Sequence, residues 1–240
     1  MASPRVRQIL LEVLTDPPGH TSTAEQVLDR LCAALIGAIP IDGAGVALMT
    51  SAGHAGLLVA SDAPAAALEN LQQTLGEGPC LDASREGRPV LLPDLARTGS
   101  TWSPGFAASA ADAGVAAIFA FPLQVGAIRL GVLDLYRRTT GALDSLELAE
   151  ALDFASAATT ILLDLQHGAP PGELHPLLAE VADGHREIHQ ATGMVSVQAA
   201  VGLTEALLLI RAHAYATERS LFDIAKDVVH RRLNFSSDGA

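Results

Sequence analysis

The sequence predicts an α+β chain: an antiparallel sheet with flanking helices, then a small all-α unit of three helices. Three observations carry this. Apolar runs of strand length recur with turn residues between them: GVALMT (Gly45–Thr50), GLLVAS (Gly56–Ser61) and the long hairpin-like run Gly114–Arg138. Between and around them lie segments with helical periodicity, Thr23–Ile39 and Leu143–Gln166. The stretch HGAPPGE (His167–Glu173) then cannot continue a helix, and beyond it only helix-compatible segments follow. The expected organisation is a sheet domain over 1–166, a linker over 167–173 and a helical domain over 174–240.

Taken in order, Val27, Leu28, Leu31, Leu35 and Ile39 fall at spacings of three and four, which predicts a helix with one apolar face, stopped by Pro40 and Gly43. Two strands follow, with SAGHA as the turn between them. Ala65–Thr74 reads as a helix ending in LGEGPC (Leu75–Cys80). GRPVLLPDL (Gly87–Leu95) has a proline near each end and reads as an edge strand. Thr98–Ala113 reads as loop or weak helix. Gly114–Arg138 is two strands joined near Val125–Ala127, apolar enough to lie deep in a sheet. After the linker, Leu177–Gln198 predicts one helix, Thr204 caps a second that runs to about Tyr215, and Ser220 caps a third with Asp223 as its capping-box partner.

The chain has 240 residues, 49% of them hydrophobic, which is enough to build a sizeable core. No run is long enough to cross a membrane. Two arginines precede an apolar patch at the N-terminus, but Glu12 interrupts it and no cleavage site follows, so a signal peptide is not expected. Cys32 and Cys80 form neither a disulfide framework nor a metal-ligand spacing, and a reducing cytoplasm is the expected location. The net charge of −12 is unevenly spread. Met1–Gly184 holds nine Arg and no Lys against 21 acidic residues, whereas His185–Phe235 holds six basic residues against five acidic, with Lys226 the only lysine in the chain. Such a tail lacks the many phosphate contacts of non-specific nucleic-acid binding but suits a selective site with few.

Over Met1–Gln166 the order of elements resembles a GAF domain, most specifically in GEGPCLDASREGRPVLLPDLA (Gly76–Ala96) and FPLQVGAIRLGVLDLY (Phe121–Tyr136). That resemblance implies a sensory and dimerisation module, with a small ligand held between the sheet and the covering loops. Leu177–Phe235 resembles the ANTAR domain, a three-helix RNA-binding module of transcription antiterminators. The resemblance rests on Ile188, Ala191, Gly193 and Met194, on Ala206 and the IRAHA run (Ile210–Ala214), and on Ala225–Val229. Thr192 stands where many members carry a lysine. The ANTAR resemblance implies binding of paired RNA stem-loops in a leader transcript, and the helices Thr23–Ile39 and Leu143–Gln166 are apolar enough to make a homodimer.

Read as residues, Ile188, Ala191 and Val195 share one helical face and predict core burial, with His189, Thr192, Gly193 and Ser196 toward the other side. Gly193 costs a helix about 1 kcal/mol relative to alanine, a cost that makes sense where another backbone, a phosphate or a partner helix comes close. The candidate RNA-binding residues are Arg186, Gln190, Ala191, Thr192, Gly193, Arg211, Arg219 and Lys226, and the candidate ligand-binding residues are Cys80, Trp102 and Phe119. HREIH sets His185 and His189 four apart, but its glutamate is misplaced for a zinc protease and a surface histidine pair is expected. No catalytic constellation, metal cluster or cofactor motif emerges, so a regulator rather than an enzyme is expected. The rival is a DNA-binding factor using the tail as a helix-turn-helix, against which stand Asp223 and Asp227 on the third helix.

Overall fold

The computed structural model describes residues 3–16, 21–50, 53–170 and 173–236. Five strands form one antiparallel sheet: β1 (Gly43–Thr50), β2 (Gly53–Ala60), β3 (Val90–Leu92), β4 (Ala117–Val125) and β5 (Ile128–Arg137), in the order β2-β1-β5-β4-β3. The β4–β5 hairpin turns between Val125 and Ile128, where Gly126 takes the left-handed backbone a tight turn demands. β3 pairs with β4 alone and is an edge, as its prolines require. The turn predicted at 51–55 falls partly outside the described residues.

Side-chain alternation divides the sheet. Phe119, Phe121, Leu123, Leu133 and Leu135 point to one face and are covered by α2 (Ala24–Ala38) and α7 (Ser145–His167), on which α1 (Pro4–Leu14) packs in turn. α2 and α7 begin with full capping boxes, Thr23 with Gln26 and Asp144 with Glu147. Leu28, Leu31 and Leu35 of α2 are fully buried, each contributing about 1.5–3 kcal/mol of apolar transfer. α1 was not expected from the sequence. Ser3 accepts from the Val6 N–H, Pro4 takes the first turn, and Val6, Ile9 and Val13 pack into the same core.

The other face meets α3 (Ala63–Leu75), α4 (Pro79–Glu86), α5 (Leu95–Trp102) and α6 (Pro104–Asp112). Of the two forms expected for Thr98–Ala113 the structure has the helical one, in α5 and α6, and LGEGPC, expected to end a helix, also runs into the next. These helices are eight or nine residues long, too short to show a periodic pattern, and backbone geometry at their ends defines them. α4 starts after Gly78 (φ 144°) and stops at Gly87 (φ 65°). A side chain at Gly78 would strike Gln72, so this glycine lets the α3–α4 corner close.

The C-terminal segment forms α8 (Pro176–Gln198), α9 (Leu203–Ala216) and α10 (Leu221–Val229) around a separate core of Ile188, Ala191, Val195, Ala206, Ile210, Ala214, Leu221, Ile224, Ala225 and Val228. α9 is capped by Gly202 rather than Thr204. At α10 the Ser220 hydroxyl accepts from the Asp223 N–H and donates to its carboxylate, so the reciprocal bond to the cap backbone is replaced by a side-chain one. α8, about 34 Å long, serves both units. Its first half lies along β2, where Val181 covers Gly56 and Leu178 enters the core beneath the sheet; its second half builds the three-helix core. The otherwise open edge at β2 is thereby covered.

Candidate functional site

Beneath the α3–α4 face the sheet buries a polar cluster. Asp134 of β5 faces this side, with Gly45 and Ala120 as its cross-strand neighbours, both too small to fill the space around it. Glu69 of α3 is 1% exposed, Cys80 of α4 is 0% and Asp134 is 7%, and the Cys80 sulfur and one carboxylate oxygen of each acid lie within 4.8 Å of one another. Gln72, equally buried, organises the group: its Nε2 donates to Glu69 Oε1 (3.1 Å), and its Oε1 accepts the Cys80 backbone N–H (2.8 Å). Among the described residues no donor meets either Asp134 oxygen at full hydrogen-bond geometry, although Glu69 and the Cys80 thiol lie close enough to act on it. Burial first, and then the neighbouring Glu69, push the Asp134 carboxyl well above the usual carboxylate range. Burial, then the charges of Asp134 and Glu69, push the Cys80 thiol up. A cavity of about 10 Å³ adjoins the two acids, lined also by Gln72, Ile118 and Tyr136, room for one water.

Of the ligand-binding candidates, Cys80 sits in this cluster. Phe119 does not: it is fully buried on the opposite face of the sheet, among the α2 and α7 side chains. Trp102 ends α5 with 37% of its surface exposed and belongs to the cluster no more than Phe119 does. Glu69, Gln72 and Asp134 were missed because a charged or amide residue inside an apolar run reads as a solvent-facing position. The signal available was LGVLDLYRR, an aspartate midway along the most hydrophobic hairpin of the chain.

The RNA-binding candidates divide between three surroundings. Ala191 is fully buried in the three-helix core, which withdraws it from any contact surface. Thr192 and Arg211 face the sheet domain across a cleft of about 520 Å³ that Gln73, Gly76, Leu81, Arg85, His185 and His189 also line. Thr192 is 7% exposed and donates its hydroxyl to the Ile188 carbonyl, so it does not join the outer side as its helical position suggested. The Arg211 guanidinium lies against Gly76, the left-handed cap of α3, where helix-end carbonyls favour a cation. Its Nε has no partner, and burial, with Arg85 adding repulsion, lowers its pKa. His185 and His189 sit edge to face with their Nε2 atoms 3.0 Å apart.

Arg186, Gln190, Gly193, Arg219 and Lys226 lie elsewhere. Arg186 is exposed and pairs with Asp183; Arg219 pairs with Asp227, as does Arg232; Lys226 lies over the Phe222 ring. Gly193 decides between the two sequence readings of it. A β-carbon there would meet nothing within 4 Å outside its own helix, so among the described residues of this chain it packs against no other helix. It floors an open groove of about 620 Å³ lined by Gln190, Met194, Gln198, Arg231 and Asn234. Arg231, absent from the sequence candidates, takes φ 58° just past α10, a position where glycine or asparagine is favoured.

A family model described as GAF domain matches residues 21–163, a span that ends inside α7 and leaves α8–α10 beyond it. Among solved structures, the GAF domain from a Coxiella burnetii phosphoenolpyruvate-protein phosphotransferase is 18% identical, with a TM-score of 0.50 over 68% of this chain and 93% of that one. The GAF domain from the Acinetobacter phosphoenolpyruvate-protein phosphotransferase is 10% identical, with a TM-score of 0.49 over 70% and 98%. A GAF domain/HD domain protein from Geobacter sulfurreducens is 15% identical, with a TM-score of 0.48 over 63% and 100%. No curated protein matches the chain.

Proposed function

The chain belongs to the GAF domain family, and on that premise we propose that it is a signal-responsive RNA-binding regulator of transcription antitermination. The GAF part senses a small ligand, and the three-helix part binds paired stem-loops of a leader transcript, as a homodimer in the cytoplasm. The observation that carries the RNA-binding half is the groove over Gly193. An unfilled glycine in mid-helix lets a nucleic-acid backbone approach closely, and Gln190, Gln198, Asn234 and Arg231 supply amide and cationic donors around it. Arg231 strengthens the case, because it holds a left-handed backbone that glycine would adopt at about 1 kcal/mol less cost.

The cleft supplies a route for signalling. Arg211 and Thr192 are turned to the sheet domain in the docked arrangement, so an RNA contact through Arg211 requires the two parts to separate. A ligand that binds one arrangement more tightly than the other shifts RNA affinity by that difference.

The test is binding of the full chain to a paired-hairpin RNA and to duplex DNA of equal length across a salt series. RNA preference with a shallow salt slope is expected, weakened about 10-fold or more by Arg231→Gly, a change that relieves backbone strain and so leaves the fold intact. Equal affinity for duplex DNA, or an Arg231→Gly variant that binds RNA like the parent, would remove the groove from the account.

A further inference from the structure

We propose that the buried Glu69–Cys80–Asp134 cluster is a binding site for one divalent cation of zinc's kind, and that this cation is the small ligand of the GAF part. The second half of the statement rests on the sensory reading above; the first stands on the cluster alone.

An organic ligand held beneath a sheet needs several hundred Å³, whereas the cavity here is about 10 Å³. That is room for a single water, or for an ion among its ligands. Next comes the donor set. One sulfur and two carboxylate oxygens, from three different elements (α3, α4 and β5), converge within 4.8 Å. Donor pairs around a tetrahedral zinc lie about 3.3–3.5 Å apart, given bond lengths of about 2.0–2.3 Å, so closing the cluster requires side-chain shifts of about 1 Å. Mixed thiolate and carboxylate donors suit a borderline cation and not magnesium or calcium, which take oxygen alone. The cavity beside the acids completes the set, because a water in it supplies the fourth ligand.

The third strand of the argument is electrostatic satisfaction. Asp134 is more than nine-tenths buried, lines the cavity, and among the described residues meets no donor at full hydrogen-bond geometry. A buried carboxyl without a partner costs several kcal/mol unless a proton or a cation neutralises it. Gln72 does not relieve it: its amide donates to Glu69 and accepts from the Cys80 backbone, and makes no bond to Asp134. What Gln72 does is hold the other two donors toward the same point, the service an outer-shell residue performs at a metal site. Gly78 is part of this construction: any side chain there would displace Gln72.

A cation would also connect α3 and α4 to the middle of the sheet. α3 ends at Gly76, against which Arg211 of α9 rests, and α4 carries Leu81 and Arg85 into the same cleft. Occupancy of the cluster therefore repositions the surface on which the three-helix unit is docked, and the signal has a path of four residues from Gln72 to Gly76.

The test uses the untagged full chain, stripped by a chelator and titrated with Co²⁺ and then Zn²⁺. One Co²⁺ per chain is expected, with a thiolate-to-cobalt charge-transfer band in the near ultraviolet that Zn²⁺ displaces. Cys80→Ser should abolish the band, and Asp134→Asn should weaken binding at least 10-fold, while a His185→Gln, His189→Gln double variant keeps both. Cobalt binding without the band, or binding lost in the histidine variant and kept in the other two, overturns the site. RNA affinity measured with and without Zn²⁺ separates the two claims. A filled site that leaves RNA affinity unchanged overturns the cation as the signal and spares the site. RNA affinity that answers to no metal in a protein that binds none overturns the cation and spares the RNA reading.

Discussion

The sheet shows one face to α1, α2 and α7 and the other to α3–α6, and each face buries one cysteine. Cys32 of α2 belongs to the apolar core that also holds Leu28, Leu35, Phe119 and Phe121, at whose edge the buried Arg137 lies over the Phe119 ring and pairs with Glu147. Cys80 of α4 lies beside Glu69, Gln72 and Asp134. The first environment holds the fold together through dispersion and apolar transfer. The second keeps three ionisable groups and an amide out of water, which no folding argument requires. Both faces bury apolar side chains, but the Glu69–Cys80–Asp134 cluster belongs to one of them, with Gly45 and Ala120 as the small cross-strand neighbours that leave it space.

The largest effect expected from this contrast is on the dry face. Phe121 is fully buried opposite Leu133, and Phe121→Ala should cost about 3–5 kcal/mol in urea unfolding, because a close-packed site relaxes little around the cavity. A loss under 1 kcal/mol would mean that this face is not the stabilising one.

The next effect separates the two thiols by pH. Burial pushes Cys32 from an ordinary 9.0 up to about 12. Its native pKa lies above its unfolded one, so its contribution to stability is fully present below pH 9 and is lost as pH rises toward 12. The unfolded chain releases the proton first, and the native state weakens by about 1.4 kcal/mol per pH unit in that window. Cys32→Val removes this term, so parent and variant should diverge by about 2 kcal/mol between pH 9 and pH 11 in unfolding free energy. Parallel curves would show that the thiol is not desolvated as the packing implies.

Sequence patterning made the first face legible and the second opaque, for a physical reason. A helix that covers a dry core must repeat its apolar residues at three and four, so α2 and α7 were found, though not their caps, and strands buried on both sides must be continuously apolar, so β4 and β5 were found as a hairpin. α1 escaped because Glu12 among its apolar residues read as an interruption, when it occupies the solvent side of an amphipathic helix. α4, α5 and α6 escaped because short helices are set by glycine and proline geometry and not by periodicity. The polar cluster needs residues from three elements distant in sequence, and of these only Cys80 was singled out. In the tail, the Ile188, Ala191 and Val195 face was read correctly, whereas the fate of Thr192 and Arg211 depended on how the tail docks, which no local pattern encodes.

Two glycines extend the contrast to the surface. Gly76 is left-handed (φ 72°) beneath Arg211, so Gly76→Ala should cost about 1–2 kcal/mol and loosen the docked arrangement. Gly193 is helical above empty space, so Gly193→Ala should raise stability by up to about 1 kcal/mol. Thermal unfolding of both variants reads the pair. Destabilisation by Gly193→Ala would place an unseen neighbour against α8 and close the groove.

The smallest expected change is the most discriminating. Asp134→Asn replaces a buried carboxyl, held beside Glu69 and Cys80, with a neutral side chain of the same shape. Burial and Glu69 hold that carboxyl toward its protonated form, and an uncharged acid resembles an amide in volume and in its capacity to donate to Glu69. In chelator-treated protein the substitution should therefore change unfolding free energy by less than about 1 kcal/mol, where Phe121→Ala costs several times that. Charge-to-neutral changes in buried ion pairs behave differently, because they strand a partner and cost about 3–5 kcal/mol. A loss of that size in Asp134→Asn would mean that Asp134 is charged and paired in the empty protein. The polar face would then be a structural network, and the distinction between the two faces would fail.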